Sequence, residues 1–165
     1  MLGLCSLAGC ANPSVVRVDS QGIQAAAITT VLVPRFEGAP AFVDAATDMF
    51  VAELEPRIHA RVIQAPALRA EGADVLAGGN IADTDLAIAK ARAAGAQVVV
   101  LGKVTAEQNG ATLNGFSTVR VVRVSDGIVV ASFHRPSGLL VANNPHQAMM
   151  AAVKRTAEDV AGAIR

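Results

Sequence analysis

The chain has 165 residues, a length typical of one domain, and its 14 basic residues balance 14 acidic ones. Without a basic run, and with aromatic residues at only 3%, the composition argues against nucleic acid as the main partner. It also lacks the polybasic segment that holds proteins on anionic lipid. Hydrophobic residues make up 52% of the chain, but no stretch approaches the ~18 apolar residues of a transmembrane helix.

The first ten residues end in Leu7-Ala8-Gly9-Cys10, a large aliphatic residue, two small residues and a cysteine. This pattern resembles the lipobox of bacterial lipoproteins. The resemblance implies cleavage between Gly9 and Cys10, acylation of Cys10, and insertion in the outer membrane, because Ala11 rather than an aspartate follows the cysteine. The alternative is a chance match in an N-terminus rich in Ala and Gly.

This interpretation divides the chain into a signal-peptide remnant (1–9), a lipidated cysteine with its tether (10–25) and one α/β domain (26–165). The remnant has no Lys or Arg and is shorter than a complete signal peptide. We therefore expect the true start codon to lie upstream. Cys5 would leave with the signal, so the mature chain would have no free thiol.

The first part of the domain predicts a strand, a helix and a second strand. Residues 15–18 predict a small edge strand, and the β-branched run 28–33, ended by Pro34, predicts a buried strand. A helix is predicted over 40–54, with four apolar residues on one face: Phe42, Ala46, Phe50 and Leu54. A short strand is expected at 60–63.

A second helix is predicted between a cap at Asp83 or Thr84 and a stop at Gly95. The Val-rich run 97–105 follows, and its near-continuous apolar character is typical of a central strand. Two turn signals come next, Asn109-Gly110 and Asn114-Gly115, and either can close the hairpin.

The C-terminal part predicts two strands of a meander, 116–124 and 128–133, and a last helix that Asn144 caps and Pro145 opens. Two early crossovers favour parallel pairing, and the meander favours antiparallel pairing. We therefore expect an α/β fold in the order β-α-β-α-β-β-β-α. Its mixed sheet would pack against amphipathic helices in a two- or three-layer sandwich.

Three segments, 31–36, 94–104 and 119–130, resemble the curli-secretion-channel-like envelope lipoproteins. That family is related in fold to the N-terminal domain of the Tol-Pal translocation protein and to lipoprotein activators of penicillin-binding proteins. The channel-forming members have membrane-spanning hairpins that this sequence lacks. The resemblance implies a compact domain facing the periplasm rather than a secretion pore.

The residues that can carry chemistry do not form a catalytic set. Gly102-Lys103 lacks the spacing of a phosphate-binding loop, and no two of the three histidines have metal-ligand spacing. Asp44 and Asp48 share a helix face, and Asp83 and Asp85 flank a helix start, which are arrangements typical of solvated carboxylates. We expect no enzymatic activity, no metal and no cofactor.

The predicted function is that of a lipid-anchored docking or assembly component of secretion, flagellar or cell-wall machinery. Its partner would be another protein or a second copy. An exposed Met149 or Met150 on the last helix is a possible contact, although ordinary core packing is the favoured explanation for the two methionines. The alternative function is a small-ligand-binding module that uses the loop Gly78–Asp85 beside the sheet.

Overall fold

A computed structural model describes residues 16–19, 23, 27–66, 84–109, 112–137 and 144–164. These residues include the strands β1 (Val16–Val18), β2 (Thr30–Pro34), β3 (Glu37–Gly38), β4 (Arg61–Ala65), β5 (Val98–Asn109), β6 (Thr112–Arg123) and β7 (Val129–Pro136). They also include the helices α1 (Pro40–Leu54), α2 (Thr84–Ala93) and α3 (Pro145–Ala163), and a 3-10 turn at Glu55–Arg57.

The seven strands form one mixed sheet in the order β1-β7-β6-β5-β2-β4, with the short β3 beside β5. β2 pairs in parallel with β4 and β5, whereas β5, β6 and β7 form an antiparallel meander. The predicted α/β class and the mixture of parallel and antiparallel pairing are therefore confirmed. β1 is the edge strand predicted around Val16, and it pairs with β7.

Helix α1 has the predicted bounds because prolines mark both of its ends. Pro40 occupies its first turn, and Pro56 lies just beyond Leu54. Phe50 and Leu54 are fully buried on its predicted apolar face. The helix is also tied to the chain after β2, since the buried Thr47 hydroxyl donates to Val43 O (2.6 Å) and accepts from Phe36 N (2.9 Å).

Helix α3 begins at the predicted cap. The Asn144 side chain accepts a hydrogen bond from Gln147 N (2.8 Å), and Pro145 opens the helix. A Cβ added at Gly115 would lie 2.3 Å from the backbone carbon of Ala148, so α3 packs directly on β6. This close approach explains why Asn114-Gly115 lies inside a strand. The hairpin closes instead between Asn109 and Thr112, which pair across the ladder.

Helices lie on both faces of the sheet, so the fold is a three-layer sandwich. α1 and α3 lie on what we call the closed face, where a large cluster includes Val31, Val33, Val100 and Val121. α2 lies on the opposite, open face, where Ala87 and Ala91 pack against residues of the sheet that include Leu32, Val99 and Leu101. Gly95, at φ +71°, ends α2 as predicted.

Strand lengths are where the sequence prediction was least accurate. β5 continues four residues past the predicted end at 105, and β6 starts four residues before the predicted start at 116. Their polar ends pair with each other, which the alternation of apolar residues does not signal. Within the described ranges, no helix is long and apolar enough to cross a membrane.

Candidate docking surface

The open face is covered by α2 only in part. The cluster under α2 includes Leu101 and Val122, and beyond them the strand register places polar side chains in rows across β5, β6 and β7. Directly opposite residues on paired strands share a face, so Leu101 lies beside Arg120, Arg120 beside Ser132, and Ser132 beside Arg17 of β1. Arg120 and Arg17 thus flank Ser132, two strands apart.

The next two cross-strand pairs on the open face are Thr118 with His134 and Phe116 with Pro136. The Nδ1 atom of His134 lies 2.8 Å from the Thr118 hydroxyl, and its ring stacks on Phe116 with 5.5 Å between centroids. His134 is half-buried, and its neighbours are a hydroxyl, an aromatic ring and Pro136. These contacts hold the imidazole as a structural group, as expected for a histidine without ligand spacing.

The two arginines of the open face are available to a partner. Arg17 and Arg120 are exposed, and neither forms a salt bridge with any described residue. Most other described arginines are engaged: Arg35 pairs with Asp44, and Arg135 binds Asp159 through Nε (2.5 Å) and Nη2 (2.9 Å). Arg17 and Arg120 are therefore exposed cations that take no part in the salt bridges of the described residues.

Three large hydrophobic side chains are exposed in the described part of the chain, and they lie at one corner of the sheet. Val18 is 42% exposed, Ile128 50% and Val129 45%. Val18 pairs with Ala131 of β7, and the Asp19 N–H donates to Val130 O (2.7 Å), so the end of β1 lies beside the start of β7. Val18 lies on the closed-face side with Ala131, and Val129 lies opposite Val122 on the open face. These three residues, which we call the corner patch, thus wrap around the border of the sheet.

The opposite border of the sheet is β4, and no other described strand pairs with its outer side. Its inward groups bond the neighbouring chain: Arg61 N donates to Thr29 O (2.8 Å), and Ala65 O accepts from Arg35 N (2.8 Å). Because alternate residues of a parallel strand point their backbone groups to opposite sides, Val62 and Gln64 direct theirs outward. Among the described strands, β4 is therefore a border strand with outward-directed backbone groups at Val62 and Gln64.

The acidic residues singled out in the sequence fasten α1 to the sheet. Asp44 binds the Arg35 guanidinium, and Gln64 Nε2 donates to Asp48 (2.9 Å). The hydrogen bond from Arg35 lowers the pKa of Asp44 below its ordinary value. Asp85 lies in the first turn of α2, where its negative charge interacts favourably with the positive end of the helix dipole. Asp83 is outside the described residues.

The remaining candidates for chemistry lie apart. His59 and His146 are exposed, and within the described ranges no three His, Cys, Asp or Glu side chains gather closely enough to hold a metal ion. Gly102-Lys103 lies inside β5, and the Phe36 ring fills the space where a Gly102 Cβ would lie (2.4 Å). Close packing against Phe36 therefore explains the glycine.

Met149 is 1% exposed and lies in the core of the closed face, while Met150 is half-buried against the same cluster. The two methionines thus pack mainly inward. The proposed lipidation and cleavage residues, Gly9 and Cys10, lie outside the described residues. So does most of the loop Gly78–Asp85, of which only Thr84 and Asp85, at the start of α2, are described.

An open cavity of about 260 Å³ lies at the C-terminal end of α2, lined by Arg92, Ala96, Gln97, Arg123, Val124 and Ser125. Its guanidinium groups are engaged, since Arg92 Nη2 donates to Val124 O (3.0 Å) and Arg123 pairs with Asp126 (2.5 Å). The cavity is smaller than the ~300–1,000 Å³ typical of ligand sites. It also lies at the other end of α2 from Thr84, where the predicted ligand loop ends.

No model of a known protein family matches the sequence, and a comparison with curated proteins finds no match. Among solved structures, the PelC dodecamer from Paraburkholderia phytofirmans is 18% identical, with a TM-score of 0.57 over 92% of this chain and 99% of that one. Lipoprotein GNA1162 from Neisseria meningitidis is 19% identical, with a TM-score of 0.46 over 83% of this chain and 99% of that one.

The LpoB C-terminal domain from Salmonella enterica is 18% identical, with a TM-score of 0.44 over 72% of this chain and 91% of that one. At these identities a likeness shows fold alone. The fold of this chain is similar to that of PelC.

Proposed function

We propose that this chain is a lipid-anchored, non-enzymatic protein of the bacterial envelope. Cys10 would fix it in the outer membrane, and the domain would face the periplasm as a docking component of an assembly. The lipobox-like residues Leu7 to Cys10 support the anchor. The resemblance to curli-secretion-channel-like lipoproteins supports the periplasmic orientation.

The observation that carries the docking role is the outer edge of β4, with which no strand in the described part of the chain pairs. A strand edge offers a row of backbone donors and acceptors, and adding a strand from another chain satisfies them. A second copy is the occupant we favour, since the solved PelC structure with the same fold is a dodecamer. The machinery served would be secretory, flagellar or part of cell-wall assembly.

The non-enzymatic part of the proposal rests on the described polar residues. Several of these side chains bind neighbours that hold elements of the fold together. Asp44 forms an ion pair with Arg35, and His134 forms a hydrogen bond with Thr118. Nucleophile, base and orienting group do not come together among the described side chains. The small-ligand alternative stays a prediction, since its loop lies mostly outside the described residues.

The anchor is tested by labelling cells with radioactive palmitate and measuring the intact mass of the membrane-purified protein. We expect label on the wild type, none on Cys10→Ala, and a mature chain that starts at Cys10 with a multi-acyl mass increment. An unmodified chain that retains Met1 would overturn the envelope assignment.

The docking edge is tested by a proline in β4. Gln64→Pro removes an outward N–H while leaving the inward hydrogen bonds of Arg61 and Ala65 intact. Gln64→Ala is the matched control, because it removes the same side-chain bond to Asp48 but keeps the N–H. We expect light scattering to show an oligomer for wild type and Gln64→Ala and a monomer for Gln64→Pro. Equal masses for the two variants would exclude this edge.

A further inference from the structure

We propose that the corner patch, together with Arg17 and Arg120, is the surface that rests on the lipid headgroups of the anchoring membrane. This inference rests on the proposed acylation of Cys10 and adds to it an orientation of the domain. The occupant is a phospholipid surface, and three independent features of the described residues support it.

The first feature is apolar exposure. Val18, Ile128 and Val129 are the large hydrophobic side chains that the described part of the chain leaves exposed, and they come from β1 and the start of β7 rather than being scattered. Single exposed apolar residues are ordinary, but a group at one corner marks a contact surface. Side chains of this size suit the boundary between headgroups and acyl chains.

The second feature is charge. Arg17, on β1, and Arg120, two strands further in, share the open face with Val129. Both are exposed and without a salt bridge to a described residue. The acidic residues at this corner act on Arg123: Asp126 is paired with it (2.5 Å), and the Asp19 charge raises its pKa. Phosphate headgroups complement two free guanidinium groups, whereas a neutral protein surface does not.

The third feature is the reach of the anchor. Five residues separate Cys10 from Val16, the first residue of β1. A chain extends at most about 3.6 Å per residue, so the start of β1 lies within about 22 Å of the acylated cysteine whatever path the tether takes. β1 is therefore the first described element after the anchor, and the tether is short enough to place the β1 border of the sheet at the bilayer.

In this orientation the corner patch and the β4 edge lie at opposite borders of the sheet. Neighbouring strands lie about 4.8 Å apart, and β4 is five strands away from β1 in the sheet order. With β1 on the membrane, the β4 edge stands roughly 24 Å further into the periplasm. Membrane contact and docking can then occur together.

The contact is tested on lipidated protein with one environment-sensitive dye. The mature acylated chain would have no other free thiol, so Ile128→Cys can be labelled alone. Arg155→Cys, exposed on α3, is the matched control. In phosphatidylethanolamine–phosphatidylglycerol vesicles that contain spin-labelled lipid, we expect quenching at residue 128 and none at 155.

Equal quenching at the two positions would overturn the proposal. A blue-shifted but unquenched dye at residue 128 would also overturn it, because it would show a protein interface at this corner. Palmitate labelling separates the two claims. A labelled Cys10 with an unquenched residue 128 refutes this inference only, whereas an unlabelled Cys10 refutes the proposed function and removes the premise of the orientation.

The charge contribution is tested with the full chain carrying Cys10→Ser, by co-sedimentation with the same vesicles. Each cationic residue near an anionic surface strengthens binding by roughly five-fold, so Arg17→Gln with Arg120→Gln should weaken it by roughly 25-fold. The control pair is Lys90→Gln with Arg155→Gln, exposed on α2 and α3. An equal loss in both pairs would show a response to net charge alone and would contradict this surface.

Discussion

The two faces of the sheet differ in how completely they are covered. On the closed face, α1 and α3 bury Val and Phe side chains together with three hydroxyl groups that all have partners, those of Thr47, Ser117 and Thr156. On the open face, α2 covers the strands only as far as Leu101 and Val122, and polar rows follow. Among the described residues, apolar burial is thus greater on the closed face, and the open face keeps exposed polar side chains.

The largest expected difference between the faces comes from two phenylalanines. Phe50 is fully buried on the closed face, 5.0 Å from Phe36 between ring centroids, so Phe50→Ala should destabilise by about 4 kcal/mol. Phe116 is half-buried beside His134 on the open face, so Phe116→Ala should destabilise by only about 1 kcal/mol. Urea unfolding measures the free energy of unfolding of both variants. Equal losses would contradict the difference in packing between the two faces.

The close approach of α3 to β6 predicts the next largest effect. Gly115→Ala places a Cβ 2.4 Å from the backbone nitrogen of Met149, and the helix must shift, at a cost of about 3 kcal/mol. Gly162→Ala, where nothing lies within 4 Å, is the control and should stabilise by about 0.5 kcal/mol. Thermal unfolding of the two variants should therefore shift in opposite directions.

A smaller effect is expected from the buried hydroxyl pair of the closed face. Ser117 Oγ and Thr156 Oγ1 lie 2.8 Å apart, so Thr156→Val leaves the Ser117 hydroxyl without this partner and should cost about 2 kcal/mol. Adding Ser117→Ala should recover about half of that loss, because both polar groups are then absent. Additive losses in the double-mutant cycle would show that the two hydroxyls are independent.

The smallest effect concerns the ion pair at the border of α1. The pKa of Asp44 is lowered by its hydrogen bond to Arg35, so its contribution to stability is fully present above the ordinary value of 3.8 and is lost as the pH falls through the lowered pKa. Asp44→Asn should therefore be slightly less stable than wild type at pH 7. Urea midpoints of the two proteins should converge below pH 3.8.

Local signals predicted the helices well and the long strands less well. Pro40 and Asn144 determine where α1 and α3 begin, because both act through the first turn of the helix itself. The position of Gly115 inside β6 depends on α3, which follows 30 residues later, and no local pattern reveals it. The two-residue strand β3 was missed because it is too short to show alternation.

The candidate surfaces were less predictable than the fold. Arg17 lies about 100 residues before Arg120 and Ile128, and only the pairing of β1 with β7 brings it to the same border. Charge counting found no basic run because the two arginines lie on different strands. The sequence likewise did not predict that β4 lies at the border, because a strand's position depends on the order of the whole sheet.

The start of β7 contains an irregularity that determines the character of the corner. Val122 pairs with Val129 and Val121 with Ala131, so Val130 is an extra residue in the ladder. This insertion reverses the inside–outside alternation, which buries Val130 and turns Val129 outward. The extra residue in the ladder, rather than a difference between the two valine side chains, thus decides which of them is exposed at this corner.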